Sequence, residues 1–389
     1  MKKKIIFLVN SLGVGGAEKV VVTILEKILN DLPNTNDIEL ICLEKNNFYK
    51  FPNDLKITYL SNNNGNINSF LKLLLIPILA FKLKKYIKNN HIDLVHSHLY
   101  RSNYINVLSK LMGSKHEAQV VNHGIVSRYK IKGLLGRFNL FLIKYLYAHA
   151  DMIILISKEM KNDLNDLFKF TNHQIVINNP YNIQHILQYK NYQSRAFLFD
   201  KQKKYLIGMG RLISLKRYQD IINVLSKLNN HIELILLGEG EEKNKLQELS
   251  HSLKIGNRVH FLGNVDNPFQ YLSKADIFIL PSETEGFPNS IIEALACEIP
   301  IISSDCLSGP REILQIKPNF GERLVDNIEV CDYGILYPTA HIECLQKAVE
   351  LLLKDETLRI SFKKKSFDRA NQFNVDNIII KYKEVLDIE

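Results

Sequence analysis

Short apolar runs alternate with longer stretches of helical spacing along most of the chain. In the first half, residues 4–10, 38–43, 92–96, 118–122, 152–156 and 174–178 read as strands. Residues 16–30, 66–88, 101–112, 134–147 and 158–168 repeat apolar positions at the helical period. The pattern restarts with strand-like runs at 205–208, 232–237, 259–262, 277–280 and 299–303, separated by helical stretches such as 218–228 and 242–253. Apolar strands alternating with helices predict an α/β protein with parallel sheets covered on both faces. Asn178-Asn179-Pro180-Tyr181-Asn182 interrupts the alternation, because proline disfavours helix at the residue before it. The chain stays polar and irregular to Lys201, and a domain boundary is expected there. The expected division is an N-terminal domain over 1–190, a C-terminal domain over 191–373 and a final helix over 374–389, with 316–332 as an exposed polar insertion.

A chain of 389 residues, 46% hydrophobic and 23% charged, is long enough for two cores. The five cysteines show no paired spacing and are expected as small buried residues in a reducing cytoplasm. Charge is uneven. Residues 1–190 hold 25 Lys+Arg against 13 Asp+Glu, a formal +12, whereas 191–389 hold 25 against 28. This basic half suits a polyanionic partner such as an anionic membrane surface, a diphosphate-linked molecule or nucleic acid. Lys2-Lys3-Lys4 precedes an apolar run too short for a signal segment, and the run 70–81 is too short to span a bilayer. Two readings stand for 66–88: a basic helix lying on a membrane, or a helix buried against a sheet.

The chemistry concentrates in the turns after strands. Pro281-Ser282-Glu283-Thr284-Glu285-Gly286-Phe287-Pro288-Asn289-Ser290-Ile291-Ile292-Glu293-Ala294 runs from a buried strand into a helix. The first N–H groups of a helix lack internal partners and carry positive potential, so they can hold phosphate. Glu285 and Glu293 beside them can accept sugar hydroxyls, which outlines a nucleotide-sugar site. Gly208-Met209-Gly210-Arg211-Leu212-Ile213-Ser214-Leu215-Lys216-Arg217 places Arg211 and Lys216 on one loop, able to offset the charge on a departing nucleoside diphosphate. Gly13-Val14-Gly15-Gly16-Ala17-Glu18 opens the first helix with little side-chain obstruction, although it is not the dinucleotide fingerprint. His123 follows a strand end, and His96 and His98 alternate along another, where they read as acceptor-side or structural groups without a third metal ligand. No Asp-x-Asp occurs, which agrees with a metal-independent transfer needing no cofactor.

The run from Glu285 through Cys297 resembles the signature of the retaining GT-B glycosyltransferases of family 4, and the Gly-Gly-Ala-Glu start and the Gly-Arg…Lys loop resemble theirs. The resemblance implies two Rossmann-like domains facing a cleft, with the terminal helix crossing back to the first. It implies that Arg211 and Lys216 bind the donor diphosphate and that His123 hydrogen-bonds the transferred sugar. It also places Glu285, Phe287, Pro288, Asn289, Ser290 and Glu293 at the donor, with Gly15 and Gly16 on the far side of its diphosphate. Gly238 to Gly240 and Phe261 to Val265 resemble the loops around the nucleoside base. Ser308-Gly309-Pro310-Arg311-Glu312-Ile313 resembles a variant of members that extend lipid-linked oligosaccharides. Glu298 departs from the pattern, which usually has glycine there.

The expected protein is therefore a cytoplasmic hexosyltransferase, peripheral at the inner face of the cytoplasmic membrane. It would move a hexose or N-acetylhexosamine from a nucleotide sugar, with UDP expected, to a polyprenyl-diphosphate saccharide. A GT-B sugar-nucleotide epimerase, an NAD-linked dehydrogenase and a non-catalytic polyanion-binding protein are the competing readings. No interleaved aromatic stripe favours nucleic acid as the partner.

Overall fold

The computed structural model describes residues 3–13, 15–32, 37–46, 49, 55–65, 67–192 and 197–388. Expectations that involve Lys2, Val14, Asn66 and residues 193–196 lie outside these. The chain divides into two compact units, 1–181 with 375–389, and 182–374.

The first unit is built on seven parallel strands: β1 (Ile5–Val9), β2 (Ile38–Cys42), β3 (Ile57–Tyr59), β4 (Leu94–His98), β5 (Glu117–Asn122), β6 (Met152–Leu155) and β7 (His173–Val176). Their order across the sheet is β3-β2-β1-β4-β5-β6-β7, so the direction of winding reverses between β1 and β4. All five residues of β1 are buried, as a strand covered on both faces requires. The helices are α1 (Gly16–Asp31), α2 (Ser69–Leu74), α3 (Ile76–Asn90), α4 (Tyr100–Leu111), α5 (Gly133–Tyr147) and α6 (Lys158–Leu167). The single helix expected over 66–88 is in fact two. Pro77 lies in the first turn of α3, where its missing N–H costs nothing, and the chain breaks just before it. Of this segment Leu79, Ala80, Leu83 and Ile87 are buried, as a helix packed against the sheet requires, while Ile78 and Phe81 face outward.

The second unit begins with α7 (Ile183–Lys190), which packs on helices of that unit. Its sheet holds β8 (Lys204–Met209), β9 (Ile232–Leu237), β10 (Val259–Gly263), β11 (Ile277–Leu280), β12 (Ile301–Ser304), β13 (Glu329–Val330) and β14 (Ile335–Tyr337). The order is β10-β9-β8-β11-β12-β14-β13, and only β13 runs antiparallel to its neighbour. Here the winding reverses between β8 and β11. The helices are α8 (Tyr218–Leu225), α9 (Lys243–Ser252), α10 (Phe269–Leu272), α11 (Asn289–Ala296), α12 (Pro310–Leu314), α13 (Ile342–Lys354) and α14 (Glu356–Asn371). Glu298, just after α11, has φ 58°, the left-handed region that glycine enters without strain. All five cysteines are free, and burial pushes the Cys42 and Cys297 thiols up to about 12.

The last helix, α15 (Val375–Leu386), belongs to the first unit, as expected of a helix that crosses back. It packs against α1, with Lys27 bonded to Asp376 at 2.8 Å and Lys383 to Asp31 at 2.8 Å. Gln119 donates to the Val385 carbonyl at 2.5 Å, and the Tyr382 ring meets His96 edge-on. Tyr382 is fully buried and its hydroxyl has no hydrogen-bond partner among the described residues. Its worth therefore lies in the ring. Tyr382→Ala is expected to lower stability by about 3–5 kcal/mol, whereas Tyr382→Phe is expected to cost nothing measurable. Urea unfolding checks both, and a large loss in the phenylalanine variant would show that the hydroxyl is bonded.

Candidate active site

In open parallel sheets, ligands bind beyond the carboxyl ends of the strands where the winding reverses. In the second unit that point lies between β8 and β11, and the loops leaving those two strands carry the expected donor residues. Lys216, in the loop after β8, bonds Glu285, in the loop after β11, at 2.5 Å. Both side chains are largely buried, so the pair is shielded from the screening that weakens surface ion pairs. The Lys216 stem passes over Gly210, where a Cβ would lie 3.7 Å from Cε. Arg211, on the same loop, is exposed and forms no ion pair among the described residues. Lys216 is committed to a carboxylate and Arg211 faces solvent.

The β8 loop is held by close backbone approach. Gly240 sits where a Cβ would be 2.3 Å from the Leu212 carbonyl oxygen, and Gly238 where one would be 2.0 Å from that of Gly210. Any side chain there would push the loop away. Gly238 in turn donates to the Gly263 carbonyl at 2.8 Å, so the loop that contains Val265 joins the same layer.

The β11 loop rests on residues 304–309. Glu285 N donates to the Leu307 carbonyl at 2.7 Å, Ser308 N to the Glu285 carbonyl at 3.2 Å, and Ser308 Oγ to the Gly286 carbonyl at 2.5 Å. Asp305 anchors this support. Its buried carboxylate accepts from Arg311 Nε and Nη2 at 2.6 and 2.7 Å, from Arg323 Nη1 at 2.9 Å and from Leu324 N at 2.8 Å. Segment 316–332, expected as an exposed insertion, therefore reaches inward at Arg323, whose guanidinium is pushed down to about 10 by burial. Phe287 and Pro288 are buried, Phe287 against Phe373 with ring centres 5.3 Å apart, while Asn289 and Ser290 at the start of α11 are half-buried. Glu293 is buried on the second turn of α11.

In the first unit the reversal point lies between β1 and β4. Gly15 caps α1 in an extended conformation and Gly16 begins the helix. The Glu18 carboxylate folds back so far that a Cβ at Gly15 would meet its Oε2 at 2.1 Å. This helix start already carries a negative group. His96 and His98 share one face of β4 with ring centres 4.8 Å apart, and both are buried. His96 bonds the Gln119 side chain at 2.8 Å. His123, largely buried after β5, lies with its Nε2 2.8 Å from His98 Nδ1, a contact that two cationic rings could not make. Burial pushes His96 down to about 4 and His123 down to about 3, and lowers His98 well below the ordinary imidazole value. His123 is therefore a neutral imidazole at physiological pH. No group of three metal-ligating side chains occurs among the described residues.

A profile described as "Glycosyl transferases group 1" matches residues 190–369, and one described as "Glycosyltransferase Family 4" matches residues 14–185. The N-acetylgalactosamine-N,N'-diacetylbacillosaminyl-diphospho-undecaprenol 4-alpha-N-acetylgalactosaminyltransferase of Campylobacter jejuni is 31% identical over 377 residues, covering 96% of both chains. The chain belongs to the group 1 glycosyl transferases. A second Campylobacter jejuni relative, the N,N'-diacetylbacillosaminyl-diphospho-undecaprenol alpha-1,3-N-acetylgalactosaminyltransferase, is 26% identical over 79% of this chain and 80% of its own. Among solved structures, sucrose-phosphate synthase from Thermosynechococcus elongatus superposes with a TM-score of 0.83 at 17% identity, covering 99% of this chain and 98% of that one. Anabaena HepE in complex with UDP gives 0.76 at 18% identity over all of both chains. The glycosyltransferase thus has the GT-B fold.

Two parts of this glycosyltransferase's site escape a sequence reading. The Asp305–Arg311–Arg323 network joins residues whose spacing has no periodic meaning. Tyr218 is buried beneath the β8 loop, its hydroxyl without a partner among the described residues and 2.9 Å from where a Gly210 Cβ would stand. Burial, with a smaller contribution from Glu285, raises its phenol.

Two outcomes are expected. Arg311→Ala leaves Asp305 with reduced compensation and should destabilise the glycosyltransferase by about 3 kcal/mol, whereas Arg211→Ala should stay within about 0.5 kcal/mol; chemical denaturation distinguishes them. The buried imidazoles give an acid-side slope. Their lowered values mean that the fold favours the neutral form, while the unfolded chain takes up protons near 6.5. Their contribution is complete above about 6.5 and is lost as pH falls toward about 4. The melting temperature should fall over that interval, and less steeply in His96→Gln; an unchanged slope in that variant would contradict the assignment.

Proposed function

We propose that the protein is a retaining glycosyltransferase that moves a hexose or N-acetylhexosamine from a UDP-sugar to a polyprenyl-diphosphate-linked saccharide. The observation that carries the donor part is the Lys216–Glu285 pair at the reversal point of the second sheet, next to the start of α11. A cation, a carboxylate and helix-start amides then lie together, which is what a sugar diphosphate needs. In this reading the diphosphate takes Lys216 and draws in the exposed Arg211. The released Glu285 accepts sugar hydroxyls, and Glu293 accepts those of the ribose. Amides from Phe287 to Ser290 hold phosphate or sugar oxygens, and Val265 borders the base. The loop at Gly15 and Gly16 and the neutral imidazole of His123 are proposed as groups of the first unit that serve the donor and its sugar.

The two cations and the helix start would stabilise the negative charge that grows on the leaving diphosphate. The proton of the attacking hydroxyl would pass to the leaving phosphate oxygen on the same face of the ring, so that configuration is retained and no metal is called for. The acceptor class is supported by the two Campylobacter relatives, whose names specify diphospho-undecaprenol saccharides. UDP as the nucleotide is supported by HepE, the fold neighbour captured with it. An acceptor of this kind puts the enzyme at the inner face of the cytoplasmic membrane. No described helix is long and apolar enough to cross one, so attachment would be peripheral.

Glu285→Ala, Lys216→Ala and Arg211→Ala are each expected to lower transfer from UDP-N-acetylgalactosamine to an undecaprenyl-diphosphate saccharide by about a hundredfold or more. Wild-type turnover in all three would remove the assignment. Among UDP, GDP and ADP, UDP should raise the melting temperature most, since a ligand that prefers the folded state stabilises it. A larger shift with GDP would reassign the nucleotide.

A further inference from the structure

The first unit has a cavity of about 520 Å³ beyond the carboxyl ends of β1 and β4. Its polar wall holds Glu44, which bonds Arg101 at 2.6 Å and faces Lys72 at 3.6 Å. Its apolar walls are Leu73 of α2 and Leu135 of α5. These two helices carry the most unusual surface of the molecule.

α5 is apolar nearly all round. Gly136, Ile143, Leu146 and Tyr147 face inward, and Gly136 lets the helix approach the turn at Ser127–Ile131 so closely that a Cβ would be 2.0 Å from the Tyr129 carbonyl oxygen. The opposite face should then be polar in an ordinary surface helix. Instead Leu134, Phe138, Phe141 and Tyr145 form an outward stripe at spacings of four, three and four, with Leu134 84% and Phe141 61% exposed. The stripe runs about 16 Å along the helix. On the other wall Leu71, Leu74, Ile78 and Phe81 repeat the pattern, each at least half exposed.

Charge selects the partner. No acidic residue lies between Glu117 and Asp151, yet that interval holds Arg128, Lys130, Lys132, Arg137 and Lys144. Between Asp54 and Asp93 there are six lysines and again no acid. Lys56 and Lys72 are paired with Glu39 and Glu44, but the five cations around α5 form no ion pair among the described residues, and an apolar stripe so bordered suits lipid tails beneath anionic headgroups. A protein partner of ordinary mixed charge would leave these cations unmatched.

We propose that the outward faces of α5 and of α2–α3 form a docking surface for an anionic bilayer, with Leu134, Phe138 and Phe141 entering the headgroup–acyl boundary. The cavity walled by the same two helices then opens at headgroup depth. This deepens the proposed function and rests on its lipid-linked acceptor, which would reach the first unit without leaving its membrane. Burying large apolar side chains supplies the insertion energy, and lysines and arginines near the headgroups add to it in a salt-sensitive way.

The chain contains no tryptophan, so a single one reports its own surroundings. With phosphatidylcholine vesicles that contain phosphatidylglycerol, the emission of Phe141→Trp is expected to shift to the blue at low salt. Emission of Ile380→Trp, on the exposed side of α15, is expected to stay unchanged. The triple variant Leu134→Ser, Phe138→Ser, Phe141→Ser should bind these vesicles about tenfold more weakly or less. It should still transfer sugar to a detergent-dispersed acceptor. An emission of Phe141→Trp that ignores the vesicles, or equal binding by the triple variant and the wild type, would overturn the proposal. Neither outcome touches the donor chemistry, whose own failure would appear as absent transfer by the wild type in detergent.

Discussion

The bond between Lys216 and Glu285 ties together the two loops on which the second unit's chemistry depends. These loops leave adjacent strands, and beyond the strand ends a backbone hydrogen bond joins them, Glu283 N donating to the Leu215 carbonyl at 2.8 Å. The charge pair, in a partly water-excluded place, adds a side-chain link beside it. It also holds both side chains between the loops that follow β8 and β11. The rest of the unit maintains this arrangement. Gly238 and Gly240 let the β9 loop press on the β8 loop, and residues 304–309 support Glu285 from beneath. Asp305, with its four donors, fixes that support to the body of the domain.

The first unit uses the same topology differently. Its reversal point is flanked by buried, neutral histidines, and its cavity is lined by an ion pair on one side and leucines on the other. The corresponding helix start carries the Glu18 carboxylate beside Gly15. Much of the basic excess of this half lies elsewhere. It lies on and around α2, α3 and α5, where apolar side chains point outward. One parallel-sheet plan thus gives two surfaces with distinct chemistry, one suited to a nucleotide sugar and one to an amphiphile.

Much of this was legible from residues alone. Strands buried on both faces announce themselves as apolar runs, and the loops that follow β8 and β11 contain the glycines and charges the site needs. The return of α15 to the first unit was carried by resemblance. Other features left no local trace. β3 and β14 are three residues each, too short for a periodic signal. Arg323 reaches Asp305 from a segment whose polarity reads as solvent-facing. The Lys216–Glu285 bond spans 69 positions, so the two groups could be named but their pairing could not. α5 shows the limit most clearly: a helix apolar nearly all round gives little hint of which side is covered.

A crystal of the protein soaked with UDP tests the central claim most directly. The account predicts the diphosphate at the start of α11, with Lys216 Nζ turned from Glu285 to a phosphate oxygen and the Arg211 guanidinium ordered against it. UDP bound elsewhere, with the Lys216–Glu285 bond intact and the space between the β8 and β11 loops unoccupied, would contradict it.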